Sequence, residues 1–145
     1  MPVTRTLVEA DDPLLLEAAQ WWLRLREVGA DAQAEDALYS EIEQWRAQCE
    51  ARGEAAVLFC YALGKAQRVL AELAAHTDRP ALLHGAVAAG VEVYRRAGIA
   101  MLDTRPVAET DRGADFAGQL VIAPPSAAGS AWMRRFRRAQ QGFAS

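Results

Sequence analysis

The sequence predicts an α/β fold: a parallel sheet flanked by helices, with a helical amino-terminal segment. Three observations lead there. Ala55 to Tyr61 reads AAVLFCY, an unbroken apolar run of the kind found in a strand buried on both faces. Gly64 and Lys65 follow it, and then Ala66, Val69, Leu70 and Leu73 recur at the spacing of a helix's buried stripe. The same succession of strand, glycine and helix returns after Pro80, and two such units in a row favour a right-handed parallel layer.

At 145 residues, 52% of them apolar, the chain has the size and composition of one globular domain. No apolar run reaches membrane-spanning length, and Met1 to Ala10 lacks the apolar region of a signal peptide, so the expected location is the cytoplasm. Cys49 and Cys60 stand alone, without a metal-ligand spacing, as expected of reduced thiols. The net charge of -3 hides an asymmetry. Residues 1–54 carry five arginines against twelve acids, whereas residues 55–145 carry eleven lysines and arginines against seven acids. The second part is suited to a polyanion and the first is not.

Taken in order, Asp11, Asp12 and Pro13 form a helix-start signal, followed by a face of Leu15, Leu16, Ala19, Trp22 and Leu23. The Trp21-Trp22 pair reads as core. Gly29 to Ala34 reads as a loop. A second helix is expected from Asp36 through Leu38, Ile42, Trp45 and Cys49, with Gly53 as its stop. Neither helix carries a catalytic constellation. The first strand and its helix come next, then a turn at His76 to Pro80, a strand at Ala81 to His84, and a helix from Gly85 carrying Val87, Val91, Val93 and Tyr94, closed by Gly98. Arg105 to Ala108 is read as a short third strand and Glu109 to Gly118 as an exposed loop. Gln119 to Ala123 is a further buried strand, followed by the loop Pro124 to Ser130 and an expected amphipathic helix, WMRRFRR, with Trp132 and Phe136 inward. Gly142 to Ser145 reads as the start of another strand. Domains rarely stop there, so the expectation is a piece of something longer, or a chain completed by a partner.

Two junctions invite chemistry. The Gly64-Lys65 turn sits where ligands bind in parallel α/β folds, at the carboxyl end of a strand and the start of a helix, whose unpaired N–H groups suit an anion. The alternative is a plain turn with a solvated lysine. The turn is not a nucleotide P-loop, because Phe59 replaces the first glycine and Ala66 replaces the serine or threonine. At the second junction Ser126, Gly129 and Ser130 with nearby N–H groups form a candidate anion nest, and four arginines on the following helix add charge. The alternative there is a serine cap on an amphipathic helix. Serine catalysis is excluded at Ser126, since Pro124 occupies the glycine position of a nucleophile elbow.

Three ordered stretches carry a resemblance. They are LFCYALGKAQRVLAEL (Leu58 to Leu73); LHGAV (Leu83 to Val87) with YRRAG (Tyr94 to Gly98); and VIAPPSAAGS (Val121 to Ser130) with WMRRF (Trp132 to Phe136). Together they resemble the β-CASP nucleases of the metallo-β-lactamase superfamily, and within it the bacterial DNA-ligase-associated exonucleases. The resemblance spans about Tyr39 to Ser145. It divides the chain into an unmatched helical segment, 1–35, and a β-CASP-like, Rossmann-like domain, 36–145, that reads as truncated at its carboxyl end.

The resemblance implies a cap that holds single-stranded DNA against a metallo-β-lactamase domain. In that domain two zinc ions bound by an HxHxDH motif hydrolyse a phosphodiester. The chain has no HxHxDH and only two histidines, His76 and His84, so no catalytic residue, metal ligand or cofactor is assigned to it. The phosphate-binding set implied is Gly64, Lys65, Arg68, Ser126, Gly129 and Ser130. Gln67 and Arg68 lie in the matched motif, where either can instead brace the fold. His84 ends a strand facing the cleft, with a buried or capping role as the competing reading. The implied partners are nucleic acid, a metallo-β-lactamase domain and, through the ligase-associated relatives, a DNA ligase, with no membrane. A different reading is a degenerate remnant that binds protein and has no nucleic-acid affinity.

Overall fold

The computed structural model describes residues 32–144, and the expected helix after Asp11 lies outside them. Helix α1 (Ala32–Ala51) begins before Asp36, because Ala32-Gln33-Ala34, expected as loop, are good helix formers and join it. The chain continues through β1 (Ala55–Phe59), α2 (Lys65–Leu73), β2 (Ala81–Leu83), α3 (Gly85–Arg96), β3 (Thr104–Pro106), β4 (Leu120–Ala123) and β5 (Ala139–Phe143). Among the described residues the five strands form one all-parallel sheet in the order β3-β2-β4-β1-β5. The α/β reading holds.

Strand β1 lies inside the sheet, pairing Val57 with Val121 of β4 on one side and with Gln141 of β5 on the other. All its residues are buried, as are all of β4, which explains their continuous apolar sequence. Side chains alternate between two cores. Ala56, Leu58, Leu83, Leu120 and Ile122 face the three helices, meeting Tyr39, Ile42, Leu70, Leu73, Val87 and Tyr94. Ala55, Val57, Phe59, Val121 and Ala123 face the other way and meet Val107, Phe116, Ala127 and Phe136. No α-helix covers this second face among the described residues. Three short 3₁₀ turns do, at Val107–Glu109, Pro125–Ala127 and Ala131–Arg135.

The expected helix at Trp132 to Arg138 is therefore corrected. Only Ala131–Arg135 is helical, as a 3₁₀ turn, and Arg138 leads directly into β5, which starts at Ala139 rather than Gly142. Arginines at 134, 135, 137 and 138 would repel one another at helical spacings. The segment must also run back along the sheet to start a parallel strand, which a compact α-helix covers poorly. Phe136 is nevertheless inward, edge-on to Phe116 at 4.8 Å, with Trp132 at 5.0 Å.

The buried stripe of α1 is Tyr39, Ile42, Arg46 and Cys49. Arg46 is 1% exposed, and a buried cation needs its donors satisfied. It donates through Nε to the Gly118 carbonyl (2.9 Å) and through its Nη groups to the carbonyls of Pro80 (3.1 Å) and Arg79 (3.5 Å). One side chain thus ties α1 to the turns that enter β2 and β4. Arg79 adds a fork onto Glu50 and a bond to the same Gly118 carbonyl. Gly118 itself has φ +76, a conformation natural to glycine, and a Cβ there would displace the Glu50 side chain.

Candidate nucleic-acid interface

From β1 the chain moves toward the β3 edge through α2 and α3 on the helical face. From β3 and β4 it moves back through connections on the other face. Reversing direction and face together keeps one hand of crossover. It also makes β1 and β4, which are neighbours, a point where the connections part to opposite faces. In open α/β sheets ligands bind in the crevice outside the carboxyl ends at such a point. Gly64 and Lys65 leave β1 there, Ser126 leaves β4, and His84 leaves β2 alongside, its N–H donating to Ile122 of β4 at 2.9 Å. Gly64, Lys65, Ser126 and His84 therefore share one edge.

Their hydrogen bonds separate them. Gly64 has φ +94, a conformation natural to glycine, and its N–H donates to Gln67 Oε1 at 2.6 Å. Gln67 is fully buried and donates through Nε2 to the Ala62 carbonyl at 2.9 Å, so it braces the turn from beneath. Gly90 of α3 leaves it room, since a Cβ there would stand 2.9 Å from Gln67 Nε2. The Ala66 N–H is also taken, by Tyr61 O at 3.1 Å. Arg68 is half-buried and already engaged in the fold. Lys65 is half-buried, close enough to Cys60 to oppose the rise in that thiol's pKa.

In the second loop, Ser126 is exposed and Gly129 has φ +74. Ser130 spends both donors on one acceptor, its hydroxyl and its N–H each pointing at the Ala127 carbonyl, at 2.6 Å and 3.1 Å. The arginines assigned to this junction run away from it along the second face. His84 is the N-cap of α3: its Nδ1 accepts from the Ala86 N–H at 2.9 Å, and its ring packs against Trp132 at 4.7 Å. With Nδ1 accepting, the neutral ring carries its proton on Nε2. Burial holds its pKa below the usual value, so the ring is an uncharged cap at neutral pH.

Burial pushes the Cys60 thiol up to about 11 against the opposing pull of Lys65, and raises Cys49 with help from Glu54. Both thiols are buried and protonated at neutral pH. Among the described residues no group of three or more His, Cys, Asp or Glu is spaced to hold a metal. The described residues therefore do not supply the ligand set that two zinc ions need, which the resemblance attaches to a separate catalytic domain.

Two aromatic rings belong to this edge that the sequence reading did not assign. Tyr61, two residues past β1, is 66% exposed. Phe143, the last residue of β5, is 67% exposed and stacks on Phe59, its register partner, at 5.0 Å. Tyr61 is hidden in the sequence at the end of an apolar run that reads wholly as strand. Phe143 is hidden because the extent of β5 was unknown.

No family model, curated protein or solved structure matches this chain. Among the described residues no helix is long and apolar enough to cross a membrane.

Proposed function

We propose that this chain is the nucleic-acid-binding, β-CASP-like portion of a zinc-dependent DNA exonuclease, and that it holds single-stranded DNA at the carboxyl edge of its sheet. One observation carries the reading: two largely exposed aromatic rings, Tyr61 and Phe143, stand at the same edge as the Lys65 ammonium. Rings on which bases stack, beside a cation for the backbone, are the elements of sequence-tolerant single-strand binding. In this reading Lys65 pairs with a phosphate, Gly64 lets the backbone approach, and Ser126 with the Gly129 N–H lines the far wall, the N–H groups of Ala127, Ala128 and Ser130 being spent within the loop. Arg68 and Gln67 support the turn, and His84 caps α3 beside the crevice. A metallo-β-lactamase domain, with a DNA ligase in the same process, would supply zinc and hydrolysis. A reducing cytoplasm suits the two buried free thiols.

The test is fluorescence anisotropy of labelled oligothymidylate with the wild-type chain, Lys65→Ala and the double variant Tyr61→Ala/Phe143→Ala. The double variant is expected to weaken binding at least about thirtyfold, at roughly 1–3 kcal/mol for each of two stacked bases, and Lys65→Ala to weaken it and make it less dependent on salt. Unchanged affinity in both would refute the reading. The same exposed rings, with Leu63 (45% exposed), favour a second reading in which this edge binds protein. Sedimentation decides that one: it requires association with itself or a partner, and a monomer that binds DNA rules it out.

A further inference from the structure

The arginines that leave the crevice gather elsewhere. Arg112, Arg134, Arg135, Arg137 and Arg138 line a groove of about 740 Å³ on the second face, with Asp115 as its one acid. Gly53 precedes β1, Ala114 to Ala117 precede β4, and Arg137 and Arg138 precede β5, so the groove opens at the amino edge of the sheet, opposite the crevice. Its walls are fixed. The Arg138 carbonyl accepts from Ala55 N–H at 2.9 Å, Arg135 bonds both the carbonyl and the hydroxyl of Thr110, at 2.8 Å and 2.9 Å, and Phe116 is buried against Phe136 beneath. Asp115 is turned to its own backbone, accepting from Ala117 N–H at 2.9 Å.

The other four arginines are exposed, and among the described residues none of their side chains has a hydrogen bond or ion pair. Four unpartnered guanidinium groups line one groove, in a chain whose net charge is -3. A surface without a ligand gains nothing from that arrangement. Every cation is arginine, the residue whose planar fork grips a phosphate at two points. The groups are strung along two segments rather than converging on one point, which suits a chain of phosphates better than a single anion.

We infer that this groove is a second nucleic-acid site, a track for the phosphodiester backbone at the amino edge, with Arg112, Arg134, Arg137 and Arg138 as its phosphate contacts. The inference rests on the reading above only for the choice of polymer, and it shares none of its residues. About five strand residues, roughly 17 Å, separate the two edges, so one single strand can reach both.

The experiment titrates labelled oligothymidylate with the full chain across roughly 50 to 200 mM salt. It compares wild type, Arg134→Gln/Arg137→Gln/Arg138→Gln and Lys65→Ala, with circular dichroism to confirm folding. Arg135 is left intact because it joins the walls. The triple variant is expected to bind at least about tenfold more weakly, with a log–log salt slope shallower by about 2, the release expected for three single-strand phosphates. If it binds as wild type does while Lys65→Ala is weakened, the groove is refuted and the carboxyl-edge reading survives. If only the triple variant is weakened, the groove stands and the other reading falls. Displacement of the oligonucleotide by poly-glutamate at equal charge concentration would make the groove an acceptor of acidic protein and overturn the inference.

Discussion

Gln67 offers the sharpest test of how the Gly64-Lys65 turn is held. Gln67→Leu keeps the side-chain volume nearly constant and removes two hydrogen bonds, to Gly64 N–H at 2.6 Å and Ala62 C=O at 2.9 Å. Both backbone groups sit in half-buried positions under which Gln67 is fully enclosed. A buried group left without a partner costs roughly 1–3 kcal/mol, and partial access to water puts these two toward the lower end. The expected loss is about 2–4 kcal/mol. It appears in urea unfolding as a lower midpoint with an unchanged slope. Gln67→Glu should behave differently with pH. Its carboxylate can still accept from Gly64 but cannot donate to Ala62, and it brings a charge into a site with no exposure, so the variant should be less stable than Gln67→Leu at pH 7 and recover on protonation. A Gln67→Leu protein within about 0.5 kcal/mol of wild type would show that the turn stands without this brace, and the placement of Lys65 would need another explanation.

Arg46→Met should cost about 2–4 kcal/mol in the same assay, because the carbonyls of Pro80 and Arg79 lose this donor and that of Gly118 keeps only Arg79, while the buried cation is removed. Phe136→Ala should cost about 3–5 kcal/mol, as it empties the centre of the Phe116–Phe136–Trp132 cluster that closes the second face. His84 has a folded-state pKa below its unfolded value, so its contribution is complete above the unfolded pKa of about 6.5 and is lost as pH falls toward the lower folded value. Thermal unfolding from pH 7.5 to 5.5 should therefore show a decline that His84→Asn, which keeps a capping side chain, reduces.

How much of this was legible in the sequence follows from which features are local. The strands β1 and β4 are readable because both faces are covered, so an unbroken apolar run is their only possible pattern. Helices α2 and α3 are readable because one buried stripe repeats over several turns. The WMRRFRR segment misleads because its inward residues, Trp132 and Phe136, are four apart, the spacing of a helix. What decides its shape is the distance back to the start of a parallel β5, which no local pattern contains. The arginines were consequently placed at the crevice when they lie at the opposite edge. Gln67 illustrates the same limit in reverse: it lies in the motif, but its partners at Ala62 and Gly64 and its clearance from Gly90 of α3 exist only in three dimensions. Arg46 reads as one more exposed charge on an acidic helix until the turns it serves are seen beside it.

The central claim is that this chain holds nucleic-acid backbone, and its most direct test is the salt dependence of oligothymidylate binding by the wild-type chain. With Lys65 and up to four arginines engaged, log affinity should fall linearly with log salt, with a slope between about -2 and -3.5. No binding at low salt, or binding that high salt leaves unchanged, would contradict the account.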